Sequence, residues 1–421
     1  MQFLRHHTPL AAIMRDTVPF LLALILAAVT ATAAPPPART GDQRASLLGA
    51  ANDVAAGKYA RAADAFRRLL ARDGHSPALW RRYDRAVVAA AAGVYAHRLP
   101  ANRYRISPAT LNRRLSAAKT TDFLLDVREP AEFARGHIPG SVNIPFREVL
   151  DHLDRLPMPQ SGRAIVIICQ TQHRANHVLV ALRELGYSNA FTLQGGYHAF
   201  RVFLRKARYC APRGTGTKGP AGPYGGITVI PLDRDAATAM DQGKPQLAVD
   251  ILRERLVRDS GNPILWKQYE RAVLTLAAQR YLHGVPDDRY RIDIDAFVTS
   301  VREHRRRFAL VDVRTPGEFK KAHLRGSINL PLATLPEHLD RLPRPDSTQT
   351  ILLVSDHQRR AIHALVILRE LGYRAFTLRG GLHALTRWMD RLPAIEGGEH
   401  AGKRSVPAAG AEEEEEEDWG C

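Results

Sequence analysis

The chain of 421 residues contains the same pattern twice. "SPALWRRYDRAV" in the first half matches "NPILWKQYERAV" in the second, and "LLDVREPAEFARGHIPGSVNIP" matches "LVDVRTPGEFKKAHLRGSINLP". Trp80 recurs as Trp266 and Asp126 recurs as Asp312, at one constant spacing. Such spacing indicates a duplicated unit about one to two domains long, so both halves must bury their apolar residues in the same way.

Each copy begins with a helical segment, which we place at 44–104 and 229–290. In "GKYARAADAFRRLLARDGHSP", Tyr59, Ala62 and Phe66 recur at helical intervals, and the segment resembles a tetratricopeptide repeat. A single repeat of this kind cannot bury its own apolar face. We therefore expect a helical hairpin packed on its neighbour in preference to a peptide-binding superhelix. A protein partner that binds through these segments stays open.

The second part of each copy has an α/β pattern. The short apolar runs "FLLDV", "SVNIP", "AIVIIC" and "AFTLQGG" alternate with helical patterns, which favours a mostly parallel sheet covered on both faces. We predict two doubly wound α/β domains, at 105–208 and 291–395, each preceded by an α-helical hairpin segment. Reactive groups in such sheets collect at the carboxyl ends of strands, and Cys169 ends the strand "AIVIIC".

The residues after Cys169 indicate a nucleophilic sulfur. A short turn, "QTQHRA", leads into the helix "ANHVLVALRELG", whose N-terminus would direct unpaired N–H groups and the positive dipole end at the sulfur. Arg174 would add a positive charge and a forked donor for an oxyanion. The sequence therefore predicts a thiolate of low pKa beside an oxyanion cradle. The second copy has Ser355 in place of the cysteine.

A family resemblance rests on three motifs: "DVREPAEFARGHIPGSVNIP", the loop from Cys169 to Arg174, and "LGYSNAFTLQGG". Together they resemble the rhodanese (thiosulfate sulfurtransferase) domain, over 106–200 and again over 292–385. The resemblance implies a catalytic persulfide on Cys169, a small anionic sulfur donor and a thiol acceptor, with no cofactor. It assigns substrate binding to the loop residues Gln170, Thr171, Gln172, His173 and Arg174.

The loop also departs from the family pattern. Sulfurtransferase loops usually carry arginine directly after the cysteine, then glycine two residues later, then serine or threonine after the closing arginine. Those places hold Gln170, Gln172 and Ala175 here. A left-handed backbone at Gln172 would cost roughly 1 kcal/mol or more, and the missing arginine would weaken sulfonate binding. A donor other than thiosulfate is therefore an open alternative.

Several charged residues occur in both copies, although only one copy has the cysteine. Residues retained without the nucleophile are better explained as an ion pair and a capped turn than as acid–base catalysts. The residues we predict to be structural are Asp126, Arg128, Glu132, His137, Asp312 and Arg314. We predict no metal site, because His173 and His177 lie one helical turn apart without a third ligand, and we expect both histidines to be solvated.

The N-terminal segment predicts export. "MRDTVPFLLALILAAVTATAAPPPART" has a basic start, a short apolar run and a small-residue cleavage site, so we interpret 1–33 as a cleavable signal peptide, with an uncleaved anchor as the alternative. A periplasmic or secreted protein follows. No later segment is apolar enough to span a membrane. The net charge is +17, yet no basic helix with interleaved aromatic residues suggests a nucleic-acid partner.

Two further segments have the composition of unstructured chain. Residues 209–228 are rich in glycine and proline and read as a linker, and 396–421 include a run of glutamates that predicts a disordered acidic tail. The leading hypothesis for function is an exported sulfurtransferase. The alternatives are a catalytically weak rhodanese-like scaffold, or a thiol redox sensor that bridges Cys169 to Cys210 or Cys421.

Overall fold

The computed structural model describes residues 41–117, 121–210, 233–303 and 308–391, without the side chains of 207–210. The predicted signal peptide at 1–33 and the acidic tail at 396–421 lie outside these residues, as do Cys421 and all but two residues of the predicted linker.

The first half consists of three helices followed by a five-stranded α/β domain. Its elements are α1 (Gly41–Ala55), α2 (Tyr59–Arg72), α3 (Pro77–His97), β1 (Arg105–Ile106), α4 (Pro108–Ser116), β2 (Phe123–Asp126), α5 (Pro130–Ala134), β3 (Val142–Asn143), a 3-10 segment (Val149–Arg155), β4 (Ile165–Ile168), α6 (His173–Glu184), β5 (Ala190–Leu193) and α7 (Gly196–Cys210).

The second half repeats this order. Its elements are α8 (Arg234–Asp241), α9 (Pro245–Arg258), α10 (Pro263–His283), β6 (Arg291–Ile292), α11 (Ile294–Arg302), β7 (Phe308–Asp312), α12 (Pro316–Lys321), β8 (Ile328–Asn329), a 3-10 segment (Leu332–Arg341), β9 (Thr350–Val354), α13 (Arg359–Glu370), β10 (Ala375–Leu378) and α14 (Gly381–Asp390).

Both sheets are parallel throughout and have the same strand order. The order is β1-β5-β4-β2-β3 in the first half and β6-β10-β9-β7-β8 in the second. The predicted α/β class with two doubly wound domains is therefore confirmed. The sequence patterns missed β1 and β6, because a strand of two residues is too short to show a period.

The helical segments pack against each other across the two halves. The rings of Trp80 and Trp266 stack at 5.6 Å between centroids. Tyr83 donates a hydrogen bond to Glu270 (2.7 Å), and Tyr269 donates the corresponding bond to Asp84 (2.8 Å). Each segment has three helices and not the two of a hairpin, and its apolar face is buried in a core shared by both halves.

The shared core also encloses α6 and α13, the helices that follow the loops after β4 and β9. In α6 every residue from Arg174 to Leu182 is buried, since α6 packs on α13, α3 and α10 as well as on its own sheet. No helix among the described residues is both long and apolar enough to cross a bilayer.

Candidate active site

Cys169 lies directly after β4, at the carboxyl edge of the first sheet, and is 1% exposed. The amide of Ala175 donates to its Sγ atom at 3.4 Å, and the amides of Thr171 and Arg174 also act on the sulfur. The amides of the loop therefore point at the sulfur, as the sequence predicted.

The predicted low pKa of this thiol is wrong. Burial raises the pKa of Cys169, and the charge of Arg174 together with the loop amides offsets this effect only in part. Removing the sulfur from water penalises the anion, and neutral N–H dipoles with one guanidinium do not fully replace that hydration. The sulfur is a buried thiol whose anion is partly solvated by the loop.

Gln172 adopts the strained conformation that the loop requires, with φ of 74°. Its buried amide donates to Thr192 Oγ1 at 2.9 Å and accepts from the amide of Gly195 at 3.2 Å. Gln358 makes the same two contacts in the second copy, to Thr377 and Gly380. The side chain of Gln172 thus ties the loop to the end of β5, and its strain is offset by these hydrogen bonds.

The turn after β5 holds the loop from the other side. The amide of Tyr197 donates to Cys169 O at 2.8 Å, and that of His198 donates to Gln170 O at 3.2 Å. Gly196 has φ of 66°, and a Cβ at this position would lie 2.7 Å from Gln170 O and closer still to Cys169 O. This close approach of two backbones requires a glycine.

The fork of Arg174 binds Glu132 and is not free for the predicted oxyanion. Its Nη1 and Nη2 atoms lie 2.5 Å and 2.7 Å from the two carboxylate oxygens. This pairing lowers the pKa of Glu132. Arg360 and Glu318 form the same pair in the second copy. Arg174 therefore acts on the sulfur through its charge while its hydrogen bonds hold α6 to α5.

Glu132 also caps α5, by accepting from the amide of Glu129 at 3.1 Å. His137, at the other end of this short helix, stacks on Phe133 with ring centroids 3.8 Å apart. Its Nδ1 atom lies 3.1 Å from Phe133 O. These contacts are those of a braced turn, as predicted for residues with a structural role.

Asp126 and Arg128 form a buried ion pair in which Arg128 Nη2 lies 2.7 Å from Asp126 Oδ2. The guanidinium of Arg128 also lies over the ring of Tyr197, 4.2 Å from its centroid. Its Nη2 atom donates to Gly136 O as well. The pair thus fixes the end of β2 beside the cysteine loop.

The second copy adds one contact to this ion pair. Arg314 pairs with Asp312 as in the first copy, and its Nη1 donates to Asp356 at 2.9 Å. Asp356 holds the loop position directly after Ser355, where the first copy has the neutral Gln170. The cysteine loop therefore lacks the internal carboxylate that the serine loop carries.

The two loop histidines are not solvated as expected. His177 is 1% exposed and its Nδ1 atom lies 2.6 Å from the hydroxyl of Tyr281 in the second half. His173 Nδ1 is buried without a hydrogen-bond partner among the described residues. Burial, reinforced by Arg291 and Arg289, lowers the pKa of His173 to about 3, so this ring is neutral. The search of the described residues for clusters of metal-binding side chains found none.

Two arginines that the sequence did not suggest as site residues come from the second half. Arg289 lies in the turn before β6 and has a left-handed φ of 52°, and Arg291 is the first residue of β6. Cys169 and Arg174 both influence the pKa of Arg289, which burial lowers. Its Nε atom is buried without a hydrogen bond among the described residues. The repeated "RYRI" was the available signal, yet nothing in it indicates which loop it faces.

A cavity of about 410 Å³ opens beside these groups. Its lining includes Arg147, Arg174 and Arg289, with Glu132 and Asp287. Arg174 and Arg147 are paired with Glu132 and Asp287 respectively, which leaves Arg289 as the cation without a salt bridge among the described lining residues. Glu129 also lines the cavity, so three guanidiniums face three carboxylates and the lining has no net charge. Arg289 still places a cation near Cys169, whose charge affects the pKa of Arg289.

Comparison with known proteins gives the family. The model for the rhodanese-like domain matches residues 107–202 and 298–387. A sulfurtransferase of Allochromatium vinosum is 33% identical over 96 residues, which are 23% of this chain and 85% of that relative. The chain belongs to the rhodanese-like domain family. The predicted tandem arrangement is confirmed, whereas the likeness of the helices to tetratricopeptide repeats stays a prediction.

Other rhodanese-family relatives bear names of the same kind. The thiosulfate sulfurtransferase PspE of Escherichia coli is 30% identical over 87 residues, covering 21% of this chain and 78% of the relative. The thiosulfate:glutathione sulfurtransferase of Saccharomyces cerevisiae is 33% identical over 82 residues, and 59% of its length is covered, against 17% of this chain. These relatives support the predicted class, a rhodanese-type transferase.

The comparison with solved structures also returned a sulfurtransferase. The thiosulfate sulfurtransferase of Pseudomonas aeruginosa matches with a TM-score of 0.27 and 20% identity, over 69% of this chain and 46% of that one.

Proposed function

We propose that the protein transfers sulfane sulfur through a persulfide on Cys169. The observation that carries this proposal is the sulfur at the end of β4, with the amide of Ala175 directed at it at 3.4 Å. An anion that forms there is stabilised by fixed N–H dipoles and by Arg174. The same groups would stabilise the terminal sulfur of a persulfide, which carries one negative charge.

The proposed reaction consists of two displacements. The Cys169 thiolate attacks the outer sulfur of an anionic donor, such as thiosulfate, and a new S–S bond forms. The S–S bond of the donor breaks, and its electron pair leaves with sulfite. An acceptor thiolate then attacks the outer sulfur of the persulfide, which returns the Cys169 thiolate and leaves the acceptor as a persulfide. Charge is conserved in both steps.

The surroundings favour an anionic donor over a neutral one. Arg289 reaches the site from the second half, and the loop has Gln170 where the serine loop has Asp356. A carboxylate at this place would repel an incoming anion. The neutral glutamine adds no such repulsion beside the cysteine. The absence of an arginine after the cysteine keeps the identity of the donor open between thiosulfate and an organic persulfide.

The test is intact-mass analysis of the full chain after incubation with thiosulfate or with glutathione persulfide. We expect a mass increase of one sulfur atom, which cyanide removes as thiocyanate and which Cys169→Ser abolishes. The serine is the residue that the second copy carries at this position, so the variant is compatible with the fold. Absence of the adduct with both donors would favour a scaffold that does not turn over.

A loss of two hydrogen masses that a reductant reverses would indicate the redox-sensor alternative instead. That alternative involves Cys210, whose side chain is not described, or Cys421, which lies outside the described residues.

We also propose that the protein is exported, on the basis of the N-terminal "PFLLALILAAVTATAAPPP". Fractionation of a bacterium that expresses the full chain tests this proposal. A processed form outside the cytoplasm, beginning near Ala34, is expected, and an unprocessed form that stays in the cytoplasm would contradict it.

A further inference from the structure

The loop of the second copy, which has no cysteine, faces a cavity of its own. This cavity has a volume of about 100 Å³ and is lined by Ser355 and Asp356 of the loop and by Arg359 and Arg360 of α13. A site for one water needs roughly 10–15 Å³, so the space admits an ion larger than water.

The first half supplies the remaining wall. Arg103, in the turn before β1, and Arg105, the first residue of β1, line the same cavity. This contact mirrors the one at the cysteine loop, which Arg289 of the second half approaches. Each half of the duplicated chain therefore places its "RYR" turn against the loop of the other half, and both loops become cationic by the same contact.

Arg103 is the group that most requires a partner. No hydrogen bond or salt bridge of its side chain is found among the described residues, and the turn holds it in a left-handed conformation with φ of 49°. Burial, with Arg105, Arg360 and Arg359 nearby, lowers the pKa of Arg103 to about 10. A guanidinium surrounded by others is stabilised when an anion binds between them.

Ser355 adds a directed donor. It is 1% exposed, and its Oγ atom accepts from the amide of Ala361 at 3.2 Å. Its hydroxyl finds no acceptor within the described part of the chain, so the O–H group can donate to a ligand. The N-terminus of α13 contributes further N–H groups at the same place.

Negative charge in the lining is small by comparison. The carboxylate of Asp356 is held by Arg314 at 2.9 Å, and Glu318 outside the lining is held by Arg360. Four guanidiniums therefore line the cavity with one carboxylate, and the balance stays positive. A serine hydroxyl cannot take up sulfur as the cysteine can, so a ligand here would be bound reversibly.

We propose that the cavity between the Ser355 loop and the turn of Arg103 is a non-covalent binding site for a small oxyanion of the sulfate, sulfite or phosphate type. The site is separate from Cys169 and does not depend on persulfide formation. It gives the second copy a role as a binding domain. The second copy has the same loop and helix N-terminus as the first, but the hydroxyl of Ser355 cannot form a persulfide.

The direct test is diffraction from crystals of the full chain soaked in selenate, whose selenium is located by its anomalous signal. We expect a peak within hydrogen-bonding distance of the Ser355 loop and of Arg103 in the wild-type protein and in Arg289→Gln. The peak should be absent in Arg103→Gln. A wild-type crystal without a peak in this cavity would overturn the proposal.

Calorimetry in solution is a second test, which does not require crystals. Sulfate, sulfite and phosphate are titrated at constant ionic strength set with chloride, which controls for screening. We expect Arg103→Gln and Ser355→Ala each to weaken binding about 10-fold to 100-fold. The tightest of the three ions identifies the ligand, and binding no stronger than that of chloride for all three would refute the site.

Persulfide formation separates this proposal from the proposed function. Arg103→Gln should load Cys169 with sulfur at the wild-type rate while losing the oxyanion. If Cys169 takes up no sulfur in any variant, the proposed function fails, whereas the oxyanion titration still tests the binding site.

Discussion

Gly196→Ala is the substitution that most directly tests the geometry of the cysteine loop. The new Cβ would lie 2.7 Å from Gln170 O and nearer to Cys169 O, and the residue would have to keep φ of 66°. Gln170 O must move by about 0.8 Å, and Cys169 O by more, to reach an ordinary separation of about 3.5 Å. The two carbonyls carry the hydrogen bonds that anchor the loop, so the displacement reaches the sulfur.

Gly196→Ala should lower the stability of the fold for two reasons. A left-handed alanine costs about 1–2 kcal/mol, and the overlap with backbone that is itself packed costs about 1–3 kcal/mol. Alanine recovers up to about 1 kcal/mol by restricting the unfolded chain. We therefore expect a loss of about 2–4 kcal/mol in the free energy of unfolding. A shift of the cradle near 1 Å should also slow persulfide formation about 100-fold.

The second copy provides a matched control. In Gly381→Ala the Cβ would lie 2.5 Å from Asp356 O and nearer to Ser355 O, at φ of 68°. The steric cost is the same, but the affected loop has no cysteine. Denaturant unfolding of both variants should give equal losses, whereas the rate of sulfur loading should fall only in Gly196→Ala.

Two results would refute this reasoning. Equal stability of Gly196→Ala and the wild-type protein would mean that the two backbones are not in contact. Equal loss of sulfur loading in Gly196→Ala and Gly381→Ala would mean that the substitution acts through general destabilisation and not through the cysteine loop.

Three further outcomes follow from the same structure. Because burial raises the pKa of Cys169, the rate of sulfur loading should keep rising with pH above about 8.5, and a plateau below pH 8 in a mass-detected time course would contradict this. In a variant that carries Ser355→Cys and Cys169→Ser, the new cysteine should take up sulfur more slowly than Cys169 does in the wild-type protein, because the carboxylate of Asp356 disfavours a second anion. Adding Asp356→Gln should raise that rate. Equal rates with and without Asp356 would show that the carboxylate is not the cause. Glu132→Gln should lower the free energy of unfolding by about 1–2 kcal/mol at pH 7. Because the pKa of Glu132 is depressed in the folded protein, this difference should begin to shrink below the ordinary glutamate pKa and disappear as the pH falls through the depressed one. A difference in urea titrations that does not shrink at all with acidification would contradict the ion pair as its source.

Local patterns in the sequence were enough to place the sulfur of Cys169 at the edge of the sheet. The run "AIVIIC" is apolar at every residue, which requires a strand buried on both faces, and the strand-end position of Cys169 follows from the parallel sheet. The left-handed Gln172 was expected from the place of a missing glycine, and the structure has it. These features depend on residues within one loop and its flanking elements, where spacing fixes geometry.

The partners of charged side chains could not be found in this way. Arg174 appeared to offer a free fork, but that fork binds Glu132, which lies far from it in the sequence. His177 was expected in solvent, yet Tyr281 of the other half covers it. The pKa of Cys169 depended on how completely the loop is enclosed, which spacing does not report.

The sequence by itself determined that the chain is a duplicated parallel α/β protein, and which copy has the sulfur. Those properties follow from periodicity and from residue identity. Only the tertiary structure decided that the turn of Arg103 meets the loop of Ser355 while Arg289 approaches that of Cys169. Docking of the two halves depends on the shapes of whole surfaces, and "RYRI" is identical in both copies, so its four letters carry no record of the surface each one meets.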